Sequence, residues 1–143
     1  MKILPLEPKD FGALSSVRDI DFSDAWNLSM LESAQKSGNF FGFTVKDGEK
    51  ILAFITFSAI SDGVDIEDVY TFAEYRKNGY AGALIEKVIS FAKEKSIPKI
   101  FLEVKETNEK AIKLYQKFGF KTISQRKKYY ADGNTALVML REI

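Results

Sequence analysis

The segment Arg76-Lys77-Asn78-Gly79-Tyr80-Ala81 reads R-x-x-G-x-A, between an extended run, Val64–Phe72, and a long amphipathic run, Tyr80–Lys95. A strand that feeds a helix through such a small-residue turn leaves several backbone N–H groups without partners at the helix start. Those donors and the positive end of the helix dipole suit an anion such as a pyrophosphate. Gly79 lets backbone approach a ligand closely, and Ala81 adds almost no side chain. An ordinary strand-to-helix turn containing a glycine would read the same way. The chain has neither Cys nor His, which excludes disulfides, thiolate nucleophiles, zinc sites built on those ligands, and an imidazole base. Acid–base chemistry near neutral pH therefore falls to carboxylates, tyrosines or lysines with shifted pKa values.

The elements that must position this chemistry follow from periodicity and turn signals. A chain of 143 residues with 45% hydrophobic residues is expected to form one domain, 1–143, with a real core. Its 21 basic and 20 acidic residues leave a net charge of +1, which offers no global attraction to nucleic acid or an anionic membrane. No apolar run reaches the ~20 residues of a membrane span, and the N-terminal residues are too poor in apolar side chains for a signal peptide. A cytoplasmic protein is the expectation. Ile3–Leu6 reads as a strand. Phe11, Leu14 and Val17 share one helical face behind Pro8. Ser23 or Asp24 is expected to cap a second helix carrying Trp26, Met30, Leu31 and Ala34. Asp47-Gly48 and Asp62-Gly63 separate three extended runs, Phe40–Val45, Ile51–Phe57 and Val64–Phe72, which predicts consecutive antiparallel strands. A helix carrying Leu84, Val88 and Phe91 follows and stops before Pro98. Ile100–Val104 is expected to return parallel to Val64–Phe72 through a right-handed crossover. Asn108 caps a fourth helix, Gly119 closes it, and Lys121–Tyr130 with Thr135–Arg141 form a last hairpin.

This order, together with Tyr75-Arg76-Lys77-Asn78-Gly79-Tyr80-Ala81, Leu102-Glu103-Val104-x-x-x-Asn108, Ala111-Ile112-x-Leu114-Tyr115-x-x-x-Gly119-Phe120 and Arg126-Lys127-Lys128-Tyr129-Tyr130, resembles the GNAT superfamily of N-acetyltransferases. Within it the chain is similar to the RimI type, which acetylates the N-terminal alanine of a small-subunit ribosomal protein. The resemblance spans nearly the whole chain and is loosest in the N-terminal third, around Phe22-Ser23-Asp24. It implies an α+β fold with a mixed, mostly antiparallel sheet that splits between two parallel strands, and helices on both faces. It implies acetyl-CoA as cosubstrate and no metal. The backbone of Val69, Tyr70 and Thr71 would take the pantetheine like an added strand. Lys77, Asn78, Gly79, Tyr80, Ala81 and Gly82 would hold the pyrophosphate, and Asn108 the pantetheine arm. Glu103 would be the general base and Tyr115 the general acid facing the sulfur. Two departures from the RimI pattern fall beside these positions: Tyr70 stands where a small residue is frequent and Ala73 where proline is. Phe22 in place of Trp and Thr135 in place of Asp touch the acceptor side.

The implied chemistry is self-consistent. An α-amine, with a free pKa of about 7.7–8, is mostly protonated at neutral pH and must lose a proton to attack. Glu103 ends an apolar strand, where desolvation would lift it from about 4.3. A backbone N–H at Val69–Thr71 could stabilise the oxyanion, an effect often worth ~3 kcal/mol. CoA thiolate resembles a thiol of pKa about 8.5 and leaves tolerably, with Tyr115 assisting. Each residue has a plainer role as well: Glu103 as a solvent-facing carboxylate, Tyr115 as core, Asn108 as a cap, and Tyr129-Tyr130 as hairpin packing. Glu67, on the strand before the loop, is a rival base. The implied acceptor is a protein N-terminus, a ribosomal protein among the candidates, with no nucleic acid or membrane partner and a monomer or weak dimer as the assembly. A small amine, polyamine or lysine side chain is the alternative acceptor. A non-catalytic acyl-CoA-binding module is the competing class, and the presence of both Glu103 and Tyr115 speaks against it.

Overall fold

The structure is a computed structural model that describes residues 1–17 and 27–143. One seven-stranded sheet runs through it in the order β1-β2-β3-β4-β5-β7-β6. The strands are β1 (Lys2–Pro5), β2 (Phe40–Asp47), β3 (Lys50–Ile60), β4 (Gly63–Thr71), β5 (Lys99–Lys105), β6 (Lys121–Arg126) and β7 (Ala136–Glu142). The helices are α1 (Phe11–Ser15), α2 (Leu28–Lys36), α3 (Tyr80–Glu94) and α4 (Glu109–Lys117). The two Asp-Gly turns do join antiparallel neighbours, β2 to β3 and β3 to β4. β4 and β5 are the parallel pair.

Strand alternation sorts the side chains into two cores. Ile55, Phe57, Val64, Ile66, Ile100, Leu102, Val104 and Met139 meet Leu84, Ile85, Val88 and Ala92 of α3, with Leu114 and Tyr115 of α4 packed alongside. Each fully buried large aliphatic side chain there contributes on the order of 1.5–3 kcal/mol. The opposite face carries a smaller core of Phe11, Leu14, Val17, Leu31, Phe40 and Phe54. Helices therefore cover both faces.

Several boundaries differ from the sequence reading. The cap of α2 is Asn27, whose Oδ1 accepts the Met30 N–H at 2.8 Å; Ser23, Asp24 and Trp26 lie outside the described residues. β6 ends at Arg126, so Tyr129 and Tyr130 sit in the turn rather than in the strand. Periodicity could not place that end, because every residue of β6 is exposed and no buried face marks the strand.

α4 ends as its Gly119 predicts. Gly119 has φ +90°; its N–H donates to the Gln116 carbonyl at 3.0 Å, and the Phe120 N–H donates to the Tyr115 carbonyl at 3.0 Å. This is a Schellman closure. The hydrophobic contact that accompanies such a closure is made here by Tyr115 and Phe120, with ring centroids 6.0 Å apart. The helix stop thus fixes Tyr115 against the core.

Candidate active site

The parallel pairing of β4 with β5 is short. It joins Val64 to Ile100, Asp65 to Phe101 and Ile66 to Leu102, and then stops. The cause lies on the other edge of β4. Against β3, Ile66 pairs with Phe57 and Asp68 with Thr56, so Glu67 is the extra residue of a β-bulge. A bulge bends its strand and sharpens the local twist. Beyond it β4 stays with β3 through Thr71, while β5 stays with β7. The two strands part as the arms of a fork. Glu67 and Glu103 are the first residues past the pairing, one on each arm.

On the α3–α4 face the fork opens into a cavity of about 670 Å³. Its lining brings together Val69, Tyr70, Thr71, Lys77, Asn78, Gly79, Tyr80, Ala81, Gly82 and Asn108, joined by Tyr75, Arg76, Lys110 and Leu114. The local geometry explains the sequence of the loop. Gly79 is the N-cap of α3 and has φ +78°, and Lys77 also takes a left-handed conformation at φ +67°. The Ala83 N–H is the first to reach back, to the Gly79 carbonyl at 3.1 Å, so the helix supplies no acceptor for the N–H groups of Tyr80, Ala81 and Gly82. Asn78 braces the turn by donating from Nδ2 to the Tyr75 carbonyl at 2.8 Å. Arg76 Nε donates to the Thr71 carbonyl at 2.9 Å and ties the loop to the end of β4. Gly82 has a further reason to lack a side chain, since a Cβ there would come within 3.2 Å of the Phe118 ring. Asn108 caps α4 by accepting the Ala111 N–H at 3.3 Å. The Tyr70 ring packs on Phe54 and Phe72, at 5.7 and 5.2 Å between centroids.

The other face of the fork holds a second cavity, of about 510 Å³, lined by Asp65, Ile66, Glu67, Phe101, Leu102, Glu103, Arg126, Tyr129, Tyr130 and Val138. Both carboxylates that could serve as a base line it. Their surroundings differ. Glu67 keeps much of its surface exposed, yet protein crowds its carboxyl group: loss of solvation, with Asp65 nearby, raises its pKa above the usual carboxylate range, and a hydrogen bond from Ser58 opposes the rise. Glu103 is less exposed and pairs through Oε1 with Arg126 Nε at 3.3 Å. Arg126 is the functional candidate that sequence reasoning left unassigned. It belongs to the Arg-Lys-Lys-Tyr-Tyr segment, but its partner is chosen by tertiary structure: it reaches across β7, where Arg126 stands opposite Ala136 and Glu103 opposite Val138.

Tyr115 lines neither cavity. Part of the residue reaches solvent, but its hydroxyl is enclosed, and burial raises its pKa to about 12, with Tyr130 and Asp68 adding to the shift. Tyr130 is itself held by Lys105, whose Nζ lies 5.1 Å from its ring and 2.8 Å from Asp132 Oδ2. Among the described residues no cluster of three or more metal-ligating side chains occurs, and no helix is long and apolar enough to cross a membrane.

A family model described as "Acetyltransferase (GNAT) family" matches residues 8–120, and the chain belongs to that family of acetyltransferases. Its curated relatives include the [ribosomal protein bS18]-alanine N-acetyltransferase of Escherichia coli strain K12, 24% identical over 140 residues that cover 96% of this chain and 94% of the relative. An N-alpha-acetyltransferase of Saccharolobus solfataricus is 37% identical over 79 residues; the match covers 54% of this chain and spans about half, 47%, of that relative. The crystal structure of the Escherichia coli ribosomal-protein-S18-alanine N-acetyltransferase superposes with a TM-score of 0.89 at 26% identity, over 99% of this chain and 93% of the other. Arabidopsis thaliana NAA60, solved in complex with acetyl-CoA, shares the fold with a TM-score of 0.85 at 19% identity, over 99% and 98% of the two chains.

Proposed function

We propose that this chain transfers the acetyl group of acetyl-CoA to the α-amine at a protein N-terminus by direct attack, and that residues 1–143 act as one N-acetyltransferase domain. The observation that carries the reading is the fork: a helix start suited to an anion and a stretch of β4 past its pairing with β5 on one face, and carboxylates on the other. The residues fit acetyl-CoA. The N–H groups of Tyr80, Ala81 and Gly82 have no acceptor within the helix and would hold the pyrophosphate with the rest of 77–82. The edge of β4 at Val69–Thr71, which has β3 on one side and, among the described residues, no strand on the other, would take the pantetheine as an added strand. Asn108 would hold the arm beyond it. When bound, acetyl-CoA supplies an activated acyl group and a tolerable leaving thiol.

The chain's own residues do the rest. Glu103 takes the proton of the incoming ammonium, directly or through water, and a backbone N–H of Val69–Thr71 stabilises negative charge on the acyl oxygen. Tyr115 stays protonated at neutral pH, since burial lifts it to about 12. Full proton transfer from such a phenol to a thiolate of pKa about 8.5 is uphill by roughly 5 kcal/mol, so Tyr115, which lines neither cavity in the empty protein, would serve as a hydrogen-bond donor to the departing sulfur, and the thiolate would take up the second proton that the acylated nitrogen releases. One observation favours a second reading of the base. Loss of solvation raises the proton affinity of Glu67, while one oxygen of Glu103 is engaged by Arg126; in that reading Glu67 takes the proton and Glu103 orients the amine.

The relatives named above as N-acetyltransferases of protein α-amines support an N-terminal acceptor, with a ribosomal N-terminus beginning in alanine as the first candidate. Acetyl transfer to three acceptors tests this: an alanine-initiated ribosomal peptide, a peptide with a blocked N-terminus and an internal lysine, and a polyamine. Transfer to the first is expected. Transfer to the blocked peptide alone would overturn the N-terminal assignment, and no uptake of acetyl-CoA at millimolar concentration in calorimetry would overturn the function altogether.

A further inference from the structure

The ion pair at the mouth of the acceptor cavity carries an inference that rests on the acetyl-transfer reading and deepens it. Among the described residues the cavity is lined by three carboxylates, Asp65, Glu67 and Glu103, and by one cation, Arg126. An acceptor amine, with a pKa of about 7.7–8, arrives mostly as an ammonium ion. It brings a positive charge to a place where a positive charge already sits. We propose that Arg126 is a displaceable counterion of this cavity, resting on the Glu103 carboxylate until the acceptor's ammonium group takes its place.

Three features of the pair favour displacement over a fixed structural role. Its Nε–Oε1 distance is 3.3 Å, longer than the 2.7–2.9 Å of a charge-assisted hydrogen bond. Both partners reach solvent, with side-chain exposures of 57% for Arg126 and 28% for Glu103, where ion pairs are weak. Arg126 also has a second resting place, because its guanidinium lies 5.5 Å from the Tyr129 ring centroid and can stay stacked there once Glu103 is taken. The contrast within the same molecule is Lys46 and Asp10, 2.7 Å apart with both side chains 5% exposed, a pair with no room to exchange. Arg126 is thus a positioning residue: it holds the Glu103 carboxylate in place in the empty protein, and it sets how strongly an amine must bind to enter.

The test follows the Arg126 Nε–H resonance by NMR while alanylglycinamide, which has a free α-amine, is added; N-acetyl-alanylglycinamide at the same ionic strength is the control. The free amine is expected to move this resonance progressively toward its position in the Glu103→Gln variant, and the acetylated control is expected to leave it in place. In parallel, Arg126→Gln on the protein holding CoA is expected to bind the free amine about two- to fivefold more tightly than the parent, the range that loss of an exposed competing ion pair allows, with Arg126→Lys in between. An unmoved resonance, equal movement with the acetylated control, or weaker amine binding by Arg126→Gln would each overturn the proposal. Acetyl-CoA added to the same sample should shift the amide signals of 77–82, so a failure of the acetyl-transfer reading is seen separately from a failure of the Arg126 role.

Discussion

At the scale of single residues, the two carboxylates of the fork make different predictions about pH. A general base works only when ionised. Glu67 holds its proton to a higher pH than an ordinary carboxyl group because its surroundings desolvate it. If Glu67 is the base, the acidic limb of kcat/KM lies above the ~4.3 of a free glutamate, and Glu67→Gln removes that limb. If Glu103 is the base, Glu103→Gln removes it and Glu67→Gln leaves it in place. Stability gives an independent check. A raised folded-state pKa favours the fold below the unfolded value and loses that contribution as pH rises through the folded value. Glu67→Gln should therefore melt at the same or a higher temperature than the parent at pH 8, with any advantage gone in acid. For Tyr115→Phe, the lost hydrogen bond to a developing thiolate should slow turnover roughly ten- to a hundredfold and leave acetyl-CoA affinity nearly unchanged. A large rise in the cofactor Kd with unchanged turnover would refute that role.

At the scale of elements, the fit between α3 and α4 links packing to the anion site. The loop's donors are useful only if α3 starts at the right height above the end of β4. Gly82 lets α3 approach α4, because the Phe118 ring occupies the space where a Cβ would stand. Gly82→Ala places that Cβ at 3.2 Å, so a helix or the ring must give way. Acetyl-CoA affinity is expected to fall by about tenfold, which corresponds to a disturbance of ~1–2 kcal/mol, the low end of overpacking costs. Gly82→Ala with Phe118→Leu should recover most of it. Calorimetric titration of both variants separates this from a lost side-chain contact, which the second substitution could not restore.

At the scale of the whole molecule, the buried pair Lys46–Asp10 fastens the segment ahead of α1 to the sheet. Asp10 Oδ1 accepts from Lys46 Nζ at 2.7 Å, and its Oδ2 accepts the Glu7 N–H at 2.9 Å. One carboxylate thus orders the Pro8–Asp10 turn and pins it to β2, beneath the smaller core formed with α1 and α2. Asp10→Ala would leave a buried ammonium without a partner and should cost about 3–5 kcal/mol in urea unfolding, while replacing both residues with Leu and Met should recover most of that loss. Loss of less than ~1 kcal/mol in the single variant would mean that water replaces the carboxylate and that the pair does not fasten this segment.

Much of this architecture was legible in the chain because its signals are local. Asp-Gly turns, a capping Asn108, a closing Gly119 and alternating apolar residues each act within a few residues, and they set the β4–α3–β5 crossover; the grouping of 69–82 with 108 was implied by the resemblance to the GNAT superfamily and not by those signals. The bulge at Glu67 was not legible. In the sequence Val64–Phe72 reads as one unbroken strand, and the extra residue exists only relative to the register of β3. The same holds for the pairing of Arg126 with Glu103, since β7 inserts between their strands and no spacing along the chain records that neighbour. The residue types available for chemistry are a property of the sequence. Which carboxylate is desolvated, which is paired, and where the sheet opens depend on long-range packing, because dielectric surroundings and strand register are set by elements distant along the chain.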